Sequence, residues 1–177
     1  MSSPARKPEI EFLLKLHAVR RFRPDPVPPD AVRDIVDVAR WSGTASNRQN
    51  WELVLVRDGA LLRDLAKLRG YAHHLAEAPL AAVIVSSGAA RDEIQAFDEG
   101  RLSERIMLAA MAHGLGSSIG WFVGPGRDEA RRLLGAPPES LVRTAISIGY
   151  PAEGAERGRR RKPLDEMVHH DRYPAAG

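Results

Sequence analysis

Three short apolar runs, each bounded by turn residues, constrain the fold of this chain more than any other feature. Residues 53–56 are a continuous apolar run, and residues 80–86 are apolar up to Ser86, which is the pattern of strands buried on both faces. Residues 142–148 alternate enough to form a third strand, and Gly149-Tyr150-Pro151 ends it. We therefore expect a core sheet of about four strands, although this pattern does not define the strand order.

Helical patterns fill the stretches between these runs. Asp30 offers an N-cap for a helix whose apolar face reaches Trp41. A chain of 177 residues is long enough for one domain with a substantial core and short for two. The sequence thus predicts a single α+β domain spanning residues 1–177. The other helices are predicted over residues 9–19, 61–68, 93–113 and 128–134.

Composition removes several classes of chemistry. The chain has no cysteine, which excludes disulfides, thiolate nucleophiles and thiolate metal sites and fits a reducing cytoplasm. Residues 1–10 have no apolar segment of the kind found in secretory signals. The longest apolar run, residues 79–85, is far shorter than the roughly 20 residues that cross a bilayer. We expect a cytoplasmic protein without a membrane partner.

The ionisable side chains are not spaced along the sequence as metal ligands are. The pairs His73-His74 and His169-His170 are adjacent, and neighbouring side chains diverge on a helix or a strand. We therefore predict no metal site. Asp98-Glu99, in the long predicted helix, is expected on its solvated surface, and neither a nucleophile elbow nor a Walker-type loop is present.

The first candidate binding motif is a cationic segment near the start of the chain. His17-Ala18-Val19-Arg20-Arg21-Phe22 leads into a stretch with four prolines in six positions. His17 and Arg20 are three residues apart, so a helix end or a tight turn would direct both side chains the same way. Alternatively, the arginines are exposed cations that face the end of a helix dipole.

An amide-rich loop follows the second predicted helix. It contains Thr44, Ala45, Asn47 and Gln49, and it runs into Trp51 and the first apolar strand. Asparagine and glutamine offer both donors and acceptors, which suits a ligand with hydroxyls and a polar ring edge. The alternative is an ordinary loop whose amides cap neighbouring backbone while Trp51 anchors the strand.

Two further segments are candidates for ligand contact. The residues from Gly116 to Trp121 follow the longest predicted helix, and a glycine-rich turn there would bring main-chain N–H groups close to a ligand. A simple helix cap is the alternative. Near the C-terminus, Arg157-Gly158-Arg159-Arg160-Arg161-Lys162 places five cations in six residues. This run is either solvated or an anion site, and without interleaved aromatics it is a poor nucleic-acid signature.

The order and spacing of these motifs resemble the FMN-binding nitroreductase family over nearly the whole chain. The resemblance implies a mostly antiparallel sheet of about four strands flanked by helices, in an intertwined homodimer that holds FMN at its interface. The chain departs from the family pattern at five positions: Leu16 replaces a basic residue, Ala18 a serine, Thr44 the serine of the loop, and Gly43 and Asn50 its two prolines.

The resemblance also implies a role for each motif. His17 and Ala18 would contact the phosphate and ribityl chain, and Arg20 would be the cation at the N1/O2 edge of the flavin. The loop would reach the flavin of the partner subunit, the glycine segment would lie over the ring, and the C-terminal cations would bind phosphate. The residues implied for the last three groups are Thr44, Ala45, Asn47 and Gln49; Ile119, Gly120 and Trp121; and Arg159 and Arg161.

The activity implied by the resemblance is that of an NAD(P)H oxidoreductase. Hydride would pass through flavin N5 in a ping-pong cycle to a nitroaromatic, a quinone or a related small acceptor, with no covalent side-chain nucleophile. Residues 68–80 are too few for an elaborate lid, which favours a broad acceptor range. The helix over residues 104–114 is expected at the dimer core. Two alternatives are other flavin chemistry on this scaffold (dehalogenation, dehydrogenation or flavin cleavage) and a non-enzymatic binder of flavin or another phosphate-bearing ligand.

Overall fold

The centre of the structure is a four-stranded sheet in the order β1-β2-β4-β3, and every neighbouring pair of strands is antiparallel. This computed structural model describes residues 6–87, 92–155 and 160–173. The prediction of an α+β fold with a mostly antiparallel sheet of about four strands is confirmed. The strands are β1 (Trp51–Val56), β2 (Leu80–Ser86), β3 (Gly116–Trp121) and β4 (Leu141–Gly149).

Helices cover both faces of this sheet and form two separate apolar cores. Every residue of β2 is buried, as expected for a central strand with a layer on each side. One core lies under the second and fourth helices, and the other lies under the third and fifth helices and a short 3₁₀ turn at His73–Glu77. The helices are α1 (Pro8–Lys15), α2 (Pro29–Arg40), α3 (Gly59–Lys67), α4 (Asp92–Ala112) and α5 (Pro125–Leu133).

The first helix is shorter than its sequence pattern predicts. It ends at Lys15 rather than near residue 19, and Leu16 is already extended (φ −61°, ψ 127°). The chain then runs along the edge of β3, where the Val19 N–H donates to the Ser117 carbonyl at 2.8 Å. A main-chain bond to the sheet therefore replaces the last helical turn. Helix α1 itself buries no residue.

The glycine segment is a strand and not a turn, which corrects the sequence expectation. It forms β3, paired along its length with β4. Small residues are needed here because other chain segments approach closely. A Cβ on Gly116 would lie 2.7 Å from Val19 side-chain atoms, and one on Gly120 would lie 3.0 Å from the Ala72 Cβ. The glycines therefore serve close packing around an edge strand.

A buried ion pair connects α4 to the sheet, and it contradicts the expectation that Asp98-Glu99 is solvated. Glu99 is 3% exposed and Arg143, on β4, is 2% exposed. The Arg143 Nε donates to Glu99 Oε2 at 3.0 Å, and the hydroxyls of Thr144 and Ser86 donate to the same carboxylate at 2.7 and 2.9 Å. These three donors compensate the carboxylate for the loss of water.

Replacing Glu99 with leucine should lower the free energy of unfolding by about 3–5 kcal/mol, because Arg143 would keep a buried charge without its carboxylate. Urea denaturation followed by circular dichroism measures this change. The double variant Glu99→Leu/Arg143→Met should recover most of the loss, and Glu93→Leu, at an exposed position on the same helix, should change stability by less than about 0.5 kcal/mol. Equal losses in the single and double variants would contradict a charge-based penalty.

Candidate functional site

The outer edge of β3 is covered by main-chain hydrogen bonds at two points. At one end, Ser117 accepts a hydrogen bond from Val19, and at the other the Trp121 carbonyl accepts one from the Tyr71 N–H at 2.7 Å. The even-numbered residues of β3 form the hydrogen-bonded pairs with β4, so antiparallel alternation turns the main chain of Ile119 away from β4. Its N–H and C=O thus face outward from the sheet, where this main chain forms a hydrogen bond with the ring of His74.

The cationic segment runs beside this edge in an extended form, which corrects the expectation for His17 and Arg20. Residues three apart on an extended chain point to opposite sides, and the two side chains line different cavities. His17 lines a cavity of about 210 Å³ together with Leu16 and Ser117, and its Nδ1 donates to the Lys15 carbonyl at 2.9 Å. His17 and Arg20 therefore do not act on one spot.

Arg20 belongs to a second cavity of about 310 Å³, here named the Arg20 cavity. This volume is at the lower end of the range for small-molecule sites. Two arginines among its lining residues make it a candidate cavity for an anionic or electron-rich ligand. Its lining residues are Ala18, Val19, Arg20, Arg21, Gly154 and Ala155.

A buried histidine lies within electrostatic reach of Arg20. His74 is 3% exposed, and its Nδ1 lies 2.8 Å from the Ser147 hydroxyl, which donates to the Ser118 carbonyl at 3.3 Å. The ring also forms a hydrogen bond with the main chain of Ile119, so either ring nitrogen can carry the proton of the neutral imidazole. The hydroxyl oxygen of Ser118 is buried without a hydrogen-bond partner among the residues described.

Burial keeps the His74 ring neutral. The pKa of His74 is lowered from 6.5 to about 4, mainly by desolvation; the hydrogen bond with the Ile119 main chain opposes this shift, and the positive charges of Arg20 and His73 add to it. At neutral pH the ring is therefore uncharged.

The amide-rich loop is held at two points. The main-chain N–H of Ala45 donates to both carboxylate oxygens of Asp98, each at 3.2 Å, and Asp98 is buried on α4. The N–H of Gln49 donates to the Thr44 hydroxyl at 2.9 Å. The loop is therefore fixed to α4 at its beginning and closed on itself at its end.

Between those points the loop adopts an unusual backbone. Ser46, Asn47 and Gln49 have φ angles of 53°, 53° and 50°, a left-handed conformation that costs a non-glycine residue of order 1 kcal/mol or more. The guanidinium group of Arg101 lies directly over Gly43, where a Cβ would collide with it. Such a loop presents Asn47 and Gln49, both exposed, in a fixed direction.

Within one chain the loop and the Arg20 cavity lie at opposite ends of the sheet. Trp51 pairs with Ser86, which pairs with Leu141, whereas Ser117 pairs with Ile148. At about 3.3 Å per residue along a strand and about 4.8 Å between strands, roughly 25 Å separate the two ends. The structure therefore does not bring the predicted loop residues to the predicted ring cation in the same subunit.

The remaining predicted residues divide between the sheet edge and the C-terminus. Ile119, Gly120 and Trp121 are on β3, with the Ile119 main chain at the outer edge. Arg161 lies in a segment, residues 160–173, in which every residue is exposed, and Arg159 lies outside the described residues. Both terminal segments also carry exposed apolar side chains: Ile10, Leu13 and Leu14 on α1, and Leu164, Met167 and Val168 near the C-terminus.

Sequence reasoning missed His74, Ser147 and Asp98. The local signal for His74 was its place between Ala72 and Leu75, two apolar residues that are fully buried. Its partner Ser147 is 73 positions away, and Asp98 is 53 positions from the amide that it accepts from. Pairings at that separation depend on the strand order, which the sequence pattern leaves undefined.

Comparisons with known proteins agree with this architecture. The model of the nitroreductase family matches residues 14–69. An NADH dehydrogenase of Thermus thermophilus is 28% identical over 193 residues, covering 88% of this chain and 92% of that protein. The structure of an FMN-dependent nitroreductase from Clostridium difficile superposes with a TM-score of 0.83 at 25% identity, covering 93% of this chain and 99% of the other.

A more distant structure shares the fold alone. The NADPH:FMN oxidoreductase of Vibrio harveyi, solved in complex with NAD⁺, has a TM-score of 0.80 at 24% identity and covers 95% of this chain and 79% of its own. Together, the sheet, the motif order and these matches define a protein of the nitroreductase fold. The chain is a nitroreductase-like oxidoreductase. Within the described ranges, no helix is long and apolar enough to span a bilayer.

Acidification should destabilise the protein through His74. Its pKa of about 4 lies below the value of 6.5 expected in the unfolded chain, so the unfolded state binds more protons between these limits. The stability contributed by His74 is complete above pH 6.5 and is lost as the pH falls toward 4, by about 3 kcal/mol in total. Denaturant unfolding of the wild type and of His74→Gln at pH 7 and 4.5 measures this.

The variant should lose clearly less stability than the wild type on acidification. His73→Gln is the matched control because that side chain is exposed, and it should follow the wild type. The same acid-induced loss in all three proteins would show that His74 does not titrate in this way.

Proposed function

We propose that this chain binds FMN and uses it as an NAD(P)H oxidoreductase of small electron acceptors. The observation that carries this proposal is the Arg20 cavity, together with the outward-facing main chain of Ile119 on the neighbouring strand and the buried ring of His74 within electrostatic reach of Arg20. The similarity to a C. difficile protein described as an FMN-dependent nitroreductase supports the choice of cofactor.

The residues present fit the chemistry of a flavin ring. Its pyrimidine edge carries carbonyl oxygens and nitrogens that gain electron density on reduction, so a nearby cation favours the reduced form. Arg20 can supply that cation, and the Ile119 N–H is a main-chain donor directed away from the sheet. The buried hydroxyl of Ser118, which lacks a hydrogen-bond partner among the described residues, is also more easily explained beside a polar ligand than inside a closed core.

At the phosphate end of the flavin, the chain offers fewer of the polar groups that are usual in this family. Leu16 and Ala18 offer neither a charge nor a hydroxyl, whereas the ring nitrogen Nε2 of His17 remains available in the neighbouring cavity. We infer that Arg159 and Arg161 supply the cations for the phosphate. His17 would add a hydrogen bond only as the imidazolium, because the single N–H of the neutral ring is already donated to the Lys15 carbonyl. Charge-assisted bonds of this kind are the strong ones in anion binding.

The chain's own residues would bind the flavin, orient it and adjust the electron affinity of its ring. Bound FMN would supply hydride transfer from NAD(P)H to the acceptor, in two half-reactions that share one site. Arg20 holds positive charge at the ring edge, Ile119 fixes the ring through its main chain, and Val19 keeps the cationic segment on β3. No side chain is required as a covalent nucleophile.

We further propose that the complete site needs two copies of the chain. Asn47 and Gln49 lie at the other end of the sheet from Arg20, yet their loop is held in a strained, fixed conformation, which is typical of residues with a binding role. In a homodimer with FMN at its interface, Thr44, Ala45, Asn47 and Gln49 would reach the partner's flavin. The exposed apolar residues of α1 and of the C-terminal segment would be covered there.

The acceptor range is expected to be broad. Only twelve residues separate α3 from β2, and five of them form the 3₁₀ turn at His73–Glu77, so this connection adds no long lid. We therefore propose nitroaromatics and quinones as acceptors, since both accept hydride without a tailored pocket. Tyr71, largely exposed beside the outer edge of β3, offers an aromatic surface for such planar molecules.

The absorbance spectrum of the purified protein tests the cofactor directly. We expect flavin bands, and the released chromophore should have the mass of FMN. Arg20→Gln should weaken FMN binding by roughly 10- to 100-fold, as expected for a lost charge-assisted contact, when measured by fluorescence titration of the apoprotein. The control Arg33→Gln, an exposed cation on α2, should bind FMN like the wild type.

A colourless protein that does not take up FMN would overturn the proposal. In that case the changes at Leu16 and Ala18 would indicate a pocket for another phosphate-bearing ligand. A flavin-loaded protein that stays oxidised when mixed anaerobically with NADPH and with NADH would instead be a flavin carrier.

Subunit complementation tests whether the site is shared. Arg20→Gln and Asn47→Ala should each reduce flavin retention in homodimers. In a heterodimer of the two variants, a shared site predicts one pocket with both residues intact and one with both changed. Differently tagged chains, co-expressed and purified in tandem, should therefore retain about half of the wild-type flavin with wild-type affinity. A heterodimer that holds flavin as weakly as both homodimers would place the two residues in separate sites.

A further inference from the structure

Two arginines meet at one turn just beyond the end of β3, and neither the fold nor the proposed function yet gives them a task. We propose that Arg69 and Arg127 bind the 2′-phosphate of NADPH, so that this protein takes its hydride from NADPH in preference to NADH. This inference rests on the proposed function, because it names the hydride donor of the same site.

Main-chain contacts bring both arginines to the turn between β3 and α5. The Val123 N–H donates to the Arg69 carbonyl at 3.0 Å, and Nη1 of Arg69 lies 3.9 Å from the position that a Cβ on Gly124 would occupy. Arg127 donates from its main-chain N–H to the Gly124 carbonyl at 3.0 Å and from Nε to the Phe122 carbonyl at 3.2 Å. The two arginines therefore flank the same turn, here named the Arg69–Arg127 corner.

The charges at this corner are available to a ligand. Arg69 is exposed and Arg127 is half-buried, and among the described residues neither forms an ion pair with an acidic side chain. Asp128 and Glu129, which follow on α5, each pair with an arginine three positions further along the helix. With Nε bound to the main chain, Arg127 is held in place and keeps its two Nη groups for a ligand.

A phosphate monoester suits this pair of cations. Each guanidinium presents a planar fork of donors that matches phosphate oxygens, and hydrogen bonds between charged groups are the strong ones. In dinucleotide sites an acidic side chain that binds the ribose 2′-hydroxyl favours NADH, whereas an arginine accommodates the 2′-phosphate of NADPH. Since the acidic neighbours on α5 are already paired, the chemistry of the corner is that of the second kind.

The corner lies where the adenosine end of the dinucleotide is expected. Phe122 continues the pairing of β3 by donating its N–H to the Arg143 carbonyl at 2.8 Å, so the chain stays extended from Ile119 to Phe122. At about 3.3 Å per residue, roughly 10 Å separate Ile119 from the carbonyl that holds Arg127. The 2′-phosphate of NADPH is one pyrophosphate and one ribose removed from the nicotinamide ribose. A nicotinamide over a flavin ring at Ile119 therefore leaves the phosphorylated ribose free to reach the corner.

Tyr71 lies between these two positions. Its main-chain N–H donates to the Trp121 carbonyl at 2.7 Å, and the residue is 73% exposed. An exposed aromatic ring is a surface on which a purine base stacks, so Tyr71 can hold the adenine while the corner holds the phosphate. In a ping-pong cycle the dinucleotide leaves before the acceptor enters, and one ring can serve both in turn.

Anaerobic stopped-flow mixing of the flavin-loaded protein with NADPH or NADH tests the inference, because it separates the first half-reaction from any acceptor. The second-order rate constant of flavin bleaching should be about 10- to 100-fold larger with NADPH, as expected for charge-assisted contacts to one phosphate. Arg69→Gln and Arg127→Gln should each lower the NADPH value about tenfold and change the NADH value less than about twofold. The matched control is Arg132→Gln, a cation of α5 that is paired with Glu129, and it should keep the preference of the wild type.

Nucleotide binding gives a second measurement that needs neither a variant nor electron transfer. Adenosine 2′,5′-bisphosphate should bind the flavin-loaded wild type about tenfold or more tightly than AMP in isothermal titration calorimetry, because the two differ only in the 2′-phosphate. The difference should shrink as salt is added, since both arginines are in contact with solvent.

Equal bleaching rates with NADPH and NADH, or equal affinities for the two nucleotides, would overturn the inference and leave the proposed function intact. A loss with both donors in Arg69→Gln and Arg127→Gln would also overturn it, because the arginines would then act on the fold. The same NADPH-specific loss in Arg132→Gln would reduce the effect to net charge. Variants that slow only the reoxidation of reduced flavin by an anionic acceptor would assign the corner to the acceptor instead. A protein without flavin, or with flavin that neither donor bleaches, would remove the proposed function itself.

Discussion

The candidate site depends on one main-chain contact, the hydrogen bond from the Val19 N–H to the Ser117 carbonyl. It draws the cationic segment against the edge of β3, ends α1 four residues earlier than the sequence pattern predicts, and turns Ala18 and Arg20 toward one cavity and His17 toward another. The contact is possible because position 116 is a glycine, where a Cβ would lie 2.7 Å from Val19. A small residue in a strand thus determines the position of a cation on a different segment.

Much of the fold could be predicted because its signals are local. The continuous apolar run of β2 is a direct result of burial on both faces, and the sheet and most helix bounds came within a few residues of the structure. β3 was missed because its two glycines and two serines lack the side chains that mark a strand. Its identity comes from β4, whose register supplies partners for each of its residues, and from neighbours that approach too closely for larger side chains.

The site was only partly predictable, for a related reason. Arg20, Asn47 and Gln49 could be singled out because charge and amide clusters are visible in a linear sequence. His74 and Asp98 were not singled out, because their chemistry comes from burial and from partners more than 50 positions away. From the helical sequence alone, the acidic pair Asp98-Glu99 is predicted to lie on the helix surface. Only the fold shows that Arg143 on β4 pairs with Glu99 in the core. The recognisable motifs are thus the exposed parts of the site, and the residues that hold or tune them lie in the core.

The left-handed backbone of the amide loop also limits how this protein can vary. Three non-glycine residues between positions 46 and 49 have positive φ angles, a conformation that asparagine tolerates well and that β-branched side chains do not. Valine, isoleucine, threonine and proline are therefore unfavourable at these positions whatever the ligand requires. Backbone geometry and side-chain chemistry favour asparagine at position 47 for independent reasons. If the ligand no longer required an amide there, the left-handed backbone would still restrict which residues this position accepts.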